Sequence, residues 1–128
     1  MSALTAPRNT RELLGPMSYE RTAGAQIYAG ALVAQNGSGY AVPASDANGL
    51  VVLGRAENSA ASGAKVVIRS GVYLFDNGAS GEALAVTDIG SPAYALDDHT
   101  VGLAGGTNTV KAGVVADVIA DGVVVRIG

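Results

Sequence analysis

From residue 25 to its end, turn signals interrupt this chain about every 8–15 residues. Eighteen glycines are spread through the sequence, and each costs a helix interior about 1 kcal/mol relative to alanine. No segment past residue 25 keeps a 3.6-residue apolar period over three turns, so long amphipathic helices are excluded. Short β-branched runs are what remain between the turns. The expected fold is all-β: a small barrel or sandwich of short antiparallel strands, preceded by an extended N-terminal arm. At 128 residues one core is expected.

The strands can be read individually. Ala31-Leu32-Val33-Ala34-Gln35 and Tyr40-Ala41-Val42-Pro43 flank Asn36-Gly37-Ser38-Gly39, an Asx-Gly hairpin signal. Pro43 ends the second strand because it has no N–H for a ladder. Leu50-Val51-Val52-Leu53-Gly54-Arg55-Ala56-Glu57 is a longer strand. Lys65 to Phe75 forms another, with a bulge or bend expected at Ser70-Gly71. Asp76-Asn77-Gly78 turns the chain, 82–86 suits a strand or a loop, and Thr87-Asp88-Ile89-Gly90 reads as a tight turn. Asp97-Asp98-His99 joins a second hairpin, and 104–108 is a flexible tip. Asp121-Gly122 joins a third hairpin, between 110–120 and 123–127.

Residues 1–24 differ from residues 25–128, the β domain. The first stretch holds Pro7 and Pro16, and carries three arginines against two glutamates, a net +1. The remainder carries five cations against nine carboxylates, a net −4. One helical turn between the prolines, capped by Asn9 or Thr10 and stopped by Gly15-Pro16, is too short to be stable alone. The stretch is therefore expected to be an arm that orders on a neighbour.

Composition limits the core. Apolar residues make up 48% of the chain but aromatics only 5%, so the apolar content is mostly alanine and valine. Each buries little area at ~25 cal/mol per Å². A modestly stable protomer completed by association is expected, and light scattering showing a stable isolated monomer would contradict this. A net charge of −3 offers no basic field for nucleic acid. No run approaches the ~18–20 apolar residues of a membrane span. No signal peptide is expected, since the first apolar stretch is broken by Pro7, Arg8, Arg11 and Glu12. Zero cysteines exclude disulfides and thiolate metal sites.

Chemistry-bearing patterns are sparse. His99, the only histidine, sits beside Asp97 and Asp98. Adjacent strand side chains point to opposite faces, so the trio reads as a solvated turn and not a metal or acid–base site. The glycine clusters at 36–39 and 102–106 do not open a helix and lack the Lys-Ser/Thr of a phosphate loop. The aspartates sit at turns without calcium-loop spacing, and the six aromatics do not form a sugar or base platform. No catalytic residue, cofactor or small-molecule substrate is expected.

Several segments occur in a telling order. They are 24–33 as an opening strand, 50–58 followed by 63–73, and Asp88-Ile89-Gly90-Ser91-Pro92-Ala93-Tyr94-Ala95-Leu96-Asp97-Asp98-His99-Thr100-Val101. Lys111-Ala112-Gly113-Val114-Val115-Ala116-Asp117-Val118 and the closing Gly122-Val123-Val124-Val125-Arg126-Ile127 complete it. In this order, from residue 25 to the C-terminus, the chain resembles the small Gly/Ala/Val-rich decoration (cement) proteins of tailed-phage capsids. Residues 1–24 depart from that pattern, being longer and richer in arginine than in its plainest members. The resemblance implies a non-enzymatic virion protein without cofactor. It would be assembled in the host cytoplasm as a homotrimer that binds the major capsid protein on the outer surface of the expanded shell and braces it. The arm would make the capsid contact through Arg8, Arg11, Leu13, Leu14, Tyr19 and Arg21, by strand addition and arginine–carboxylate pairs. The alternatives are another virion subunit, such as a head-fibre base or tail component, and a β-sandwich carbohydrate-binding module.

Overall fold

The computed structural model describes residues 3, 5–7 and 18–128. Ten strands and two short 3₁₀ turns account for the ordered elements of these residues, and the fold is all-β. No helix is long and apolar enough to cross a membrane among the described residues.

The first half is a five-stranded antiparallel sheet. Its strands are β1 (Ser18–Thr22), β2 (Leu32–Gln35), β3 (Ala41–Pro43), β4 (Val51–Ala56) and β5 (Lys65–Arg69), in the order β1-β5-β4-β2-β3. The sheet curls until its two edges touch, where Ala23 bridges Ala41 and the Gly24 N–H donates to the Ala41 carbonyl at 2.8 Å. The second half is a closed barrel. It consists of β6 (Gly71–Asn77), β7 (Pro92–Ala95), β8 (Thr100–Gly102), β9 (Lys111–Ile119) and β10 (Gly122–Ile127), ordered β10-β6-β8-β7-β9. Within it β6 and β8 run parallel. Closure leaves these strands without free edges, which removes a route to aggregation.

Two cores result. One lies inside the curled sheet, around Ile27, Val33, Val66 and Ile68. The other fills the barrel, with Phe75, Val101, Val115, Val123 and Val125, and extends onto the sheet through Leu32, Ala34 and Ala44. β2 is thus buried on both faces, Leu32 and Ala34 toward the barrel and Val33 toward the sheet interior. That explains why this strand is apolar throughout instead of alternating. β10 alternates instead: Val123, Val125 and Ile127 point in, while Val124 and Arg126 point out. At the junction the Arg55 guanidinium of β4 lies 4.4 Å from the Tyr73 ring centre on β6, and it pairs with Glu57 at 3.0 Å.

The hairpins read from sequence form as expected at 36–39, where Asn36 Oδ1 accepts the N–H groups of Ser38 and Tyr40, and between β7 and β8. Other readings need correction. Residues 18–22, assigned to the arm, form β1 and pair with β5 from Ser18↔Arg69 to Thr22↔Lys65. Of the opening segment 24–33, Ile27 makes only an isolated bridge to Ala60, because the chain turns at Tyr28–Ala31 before β2 begins. The Ser70-Gly71 bend is the crossover from sheet to barrel. The ambiguous 82–86 stretch is not a strand; it runs between the 3₁₀ turns Ser80–Glu82 and Val86–Asp88. The last hairpin turns at Ala120-Asp121, one residue early, and Gly122 already belongs to β10.

Gly54 has a steric reason that composition does not reveal. A Cβ there would fall inside van der Waals contact of the Arg69 carbonyl and 3.0 Å from the Ser70 nitrogen, both backbone atoms that cannot swing away. Gly54→Ala is therefore expected to lower the urea midpoint with unchanged m, corresponding to about 1–3 kcal/mol.

Candidate functional site

Of the six residues proposed for capsid contact, Arg8, Arg11, Leu13 and Leu14 lie outside the described residues. Tyr19 and Arg21 lie on β1, opposite the buried Ile68 and Val66 of β5. Both are half-buried and engage their own chain. Tyr19 packs on the sheet's core, Arg21 stacks 5.1 Å from the Tyr19 ring centre, and Arg21 Nε donates to Gln35 Oε1 at 3.0 Å. The other parity of β1, Ser18, Glu20 and Thr22, lies on the opposite face. Among the described residues Ser18–Thr22 has β5 as its one strand partner, and the far side of β1 meets β3 only just beyond its end, at Ala23 and Gly24, so 18–22 shows a short row of N–H and C=O groups without a strand partner.

The structure gathers carboxylates around the single histidine. Because Asp97, Asp98 and His99 sit in a turn and not a strand, their side chains converge where strand parity would separate them. His99 Nδ1 lies 3.0 Å from Asp98 Oδ1 and 3.1 Å from Asp97 Oδ1, and its Nε2 lies 4.0 Å from Asp76 Oδ2 on β6. The hydrogen bond to Asp98, then the charges of Asp97, Asp98 and Asp76, raise the imidazole pKa, against a small opposing effect of burial. The turn is stitched to both halves: Leu32 N–H donates to the Asp98 carbonyl, and Asp76 N–H to the His99 carbonyl, each at 2.8 Å. A raised pKa means the folded state favours the protonated ring. Its contribution is fully present below 6.5 and is lost as pH rises through the folded value. The group is exposed, so the effect is small. Melting temperature is expected to fall slightly as pH rises above 6.5 in the native chain, and to stay flat across that window in His99→Gln.

A second carboxylate arrangement has no counterpart in the sequence reading. The loop 104–108, read as a flexible tip, is held at all five backbone N–H groups. Glu82 Oε1 accepts from Ala104 at 2.8 Å and Gly105 at 2.9 Å, and its Oε2 accepts from Gly106 at 2.9 Å. Asp46 accepts from Thr107 at 2.9 Å and Asn108 at 2.7 Å, and Asn108 Nδ2 returns a bond to the Asp46 carbonyl at 3.0 Å. Gly105 and Gly106 at φ +83° and +60° let successive amides point the same way. Thr109 follows at φ +49°, costly for a β-branched residue and held there by the surrounding bonds. These amide bonds lower the pKa of both carboxylates, against partial opposition from desolvation. Asp46 comes from the β3–β4 connection and Glu82 from the barrel, so the clasp ties the two halves to one loop. Its partners are 22 to 62 residues apart. Only the glycine pair at 105–106 hints at it locally.

A shallow cleft of about 410 Å³ lies where the sheet edges meet, lined by Thr22, Ala23, Gly24, Asn36, Tyr40, Ser62 and Gly63. Other large apolar side chains are exposed away from this cleft. They include Val72 and Leu74 on β6, Ile119 on β9 and Val86 in a 3₁₀ turn. No family model, curated protein or solved structure matches this chain.

Proposed function

We propose that this chain is a non-enzymatic structural protein of a phage virion, which binds the outer surface of the expanded capsid as a trimer and stabilises it. The observation that carries the reading is β1. Over Ser18–Thr22 it has a strand partner on one side only among the described residues, and in sequence it directly follows the arginine-bearing segment that ends at residue 17. An edge of this kind accepts a strand from a neighbouring protein through backbone bonds, while the arginines before it suit carboxylates on a shell. Apolar side chains displayed on strand faces also suit a protein that works through contact surfaces. Tyr19 and Arg21 then act by bracing β1 from its inner face, leaving Arg8, Arg11, Leu13 and Leu14 for direct contact.

Deleting residues 1–17 is expected to lower affinity for expanded capsids roughly tenfold or more, while the oligomeric mass and melting temperature stay as in the full chain. If the deletion unfolds the protein, those residues belong to the core and the assignment fails. Another virion position, a head-fibre base or tail component, is separated by labelled cryo-EM of particles.

The cleft beside Tyr40 favours one other reading, a carbohydrate-binding module, since an exposed tyrosine among hydroxyl and amide groups can stack on a sugar. A glycan array giving a hit that Tyr40→Ala removes would support it over capsid binding.

A further inference from the structure

Three of the chain's six asparagines, Asn36, Asn48 and Asn77, are followed by glycine. An asparagine side chain can close on the backbone nitrogen of the next residue, and a glycine there has no side chain to obstruct the approach. The fold treats the three differently.

Asn36 is half-buried at the β2–β3 hairpin. Its Oδ1 accepts from the N–H groups of Ser38 and Tyr40 at 3.0 and 3.1 Å. Its own N–H donates to the Tyr40 carbonyl and its carbonyl accepts from the Gly39 N–H, each at 3.0 Å. Asn77 is half-buried at the end of β6. Its Nδ2 donates to the Leu84 carbonyl and its Oδ1 accepts from the Leu84 N–H, each at 2.9 Å. The Gly78 nitrogen, which would have to attack, donates to the Val101 carbonyl at 2.8 Å. Asn48 is held by nothing comparable. With Gly49 it forms an exposed turn in the β3–β4 connection. Among the described residues no hydrogen bond engages its side chain or the Gly49 N–H. Gly49 has φ +81°, and a Cβ added there would meet nothing within 4 Å, so the turn has room to change shape.

We propose that Asn48 is a modification site, the position at which the folded chain first deamidates, through a cyclic imide with Gly49 and with water as the only reactant. The Gly49 nitrogen gives up its proton to solvent and attacks Asn48 Cγ. The bond from Cγ to Nδ2 breaks, and Nδ2 leaves as ammonia with a proton taken from water. Water then opens the imide on either side of its nitrogen. Cleavage at Cγ leaves aspartate. Cleavage at the main-chain carbonyl carbon leaves isoaspartate, with the backbone rerouted through Cβ and Cγ. Nothing is oxidised or reduced. Either product places a new carboxylate two residues from Asp46 and takes the net charge one unit below −3. At Asn36 and Asn77 two or more hydrogen bonds must open before the ring can form, so conversion there is slower by roughly tenfold or more. The inference does not rest on the proposed capsid role.

Incubating the full chain in mildly alkaline buffer over weeks tests it, beside a sample in unfolding urea. Isoelectric focusing follows the acidic form, and peptide mapping with fragmentation places the change and separates aspartate from isoaspartate. In the folded chain the acidic form should carry both products at Asn48, with Asn36 and Asn77 intact. In urea, where the protecting bonds are gone, all three should convert at similar rates. Asn48→Gln should remove the early acidic form from the folded sample, because the longer side chain closes such a ring far more slowly. Conversion of Asn36 or Asn77 as fast as Asn48 in the folded chain overturns the proposal. So does an intact Asn48 in the folded chain while all three convert in urea, or aspartate formed without isoaspartate.

Discussion

Leu32→Ala is expected to lower the unfolding free energy by about 2–5 kcal/mol, against a total of about 5–15 kcal/mol for a domain of this kind. Leu32 is fully buried on the strand that separates the two cores. Its own backbone is fixed on both sides: its N–H donates to Asp98 and its carbonyl accepts from Ala44, each at 2.8 Å. The strand therefore cannot shift to close the space. Around it the barrel core is largely alanine and valine, including Ala34, Ala44, Ala93 and Ala95, and such short side chains cannot swing into a vacated volume. The cost should fall toward the upper part of that range for this reason. Urea unfolding monitored by circular dichroism measures it. Val51→Ala, at a position 63% exposed, is the matched control and should change stability by less than about 0.5 kcal/mol.

The second large effect is local. Glu82→Ala should raise amide hydrogen exchange at 104–106 roughly tenfold or more, because three backbone N–H groups lose their acceptor and Gly105 is buried. Glu82→Gln should fall between. Its single amide oxygen can still serve two of the N–H groups, but its NH₂ would face the third donor. Asp46→Asn should loosen 107–108 in the same way. The clasp also fixes an acid response. Both carboxylates have lowered pKa values in the folded state, so their contribution is present above the ordinary values of 3.8 and 4.5 and is lost as pH falls through the lower folded values. Exchange at 104–108 should therefore rise in strong acid before the strands open, and in Glu82→Ala the 104–106 part of that response should be absent.

These two cases show which physics a single sequence carries. The all-β architecture was legible because glycine and Asx-Gly signals are local. The 36–39 hairpin and the Ser70-Gly71 bend form where they were read. The double burial of β2 was visible only as an apolar run, since its cause is a second core supplied by residues 71–127. β1 is hard to read as a strand because its sequence, Ser-Tyr-Glu-Arg-Thr, alternates weakly and its partner, β5, lies more than forty residues on. The clasp is not legible in the sequence for the same reason: its carboxylates and amides meet only in the folded chain. Strand parity does not describe how Asp76, Asp97 and Asp98 converge on His99, because residues 97–99 sit in a turn.

The central claim is that this chain acts by attaching to an expanded capsid. Its most direct test is co-sedimentation of the purified full chain with expanded and unexpanded heads of the phage that encodes it. Saturable binding to expanded heads at a fixed ratio to the major capsid protein, with none to unexpanded heads, is the predicted result. Absence of binding to expanded heads, or equal binding to both forms, would contradict it.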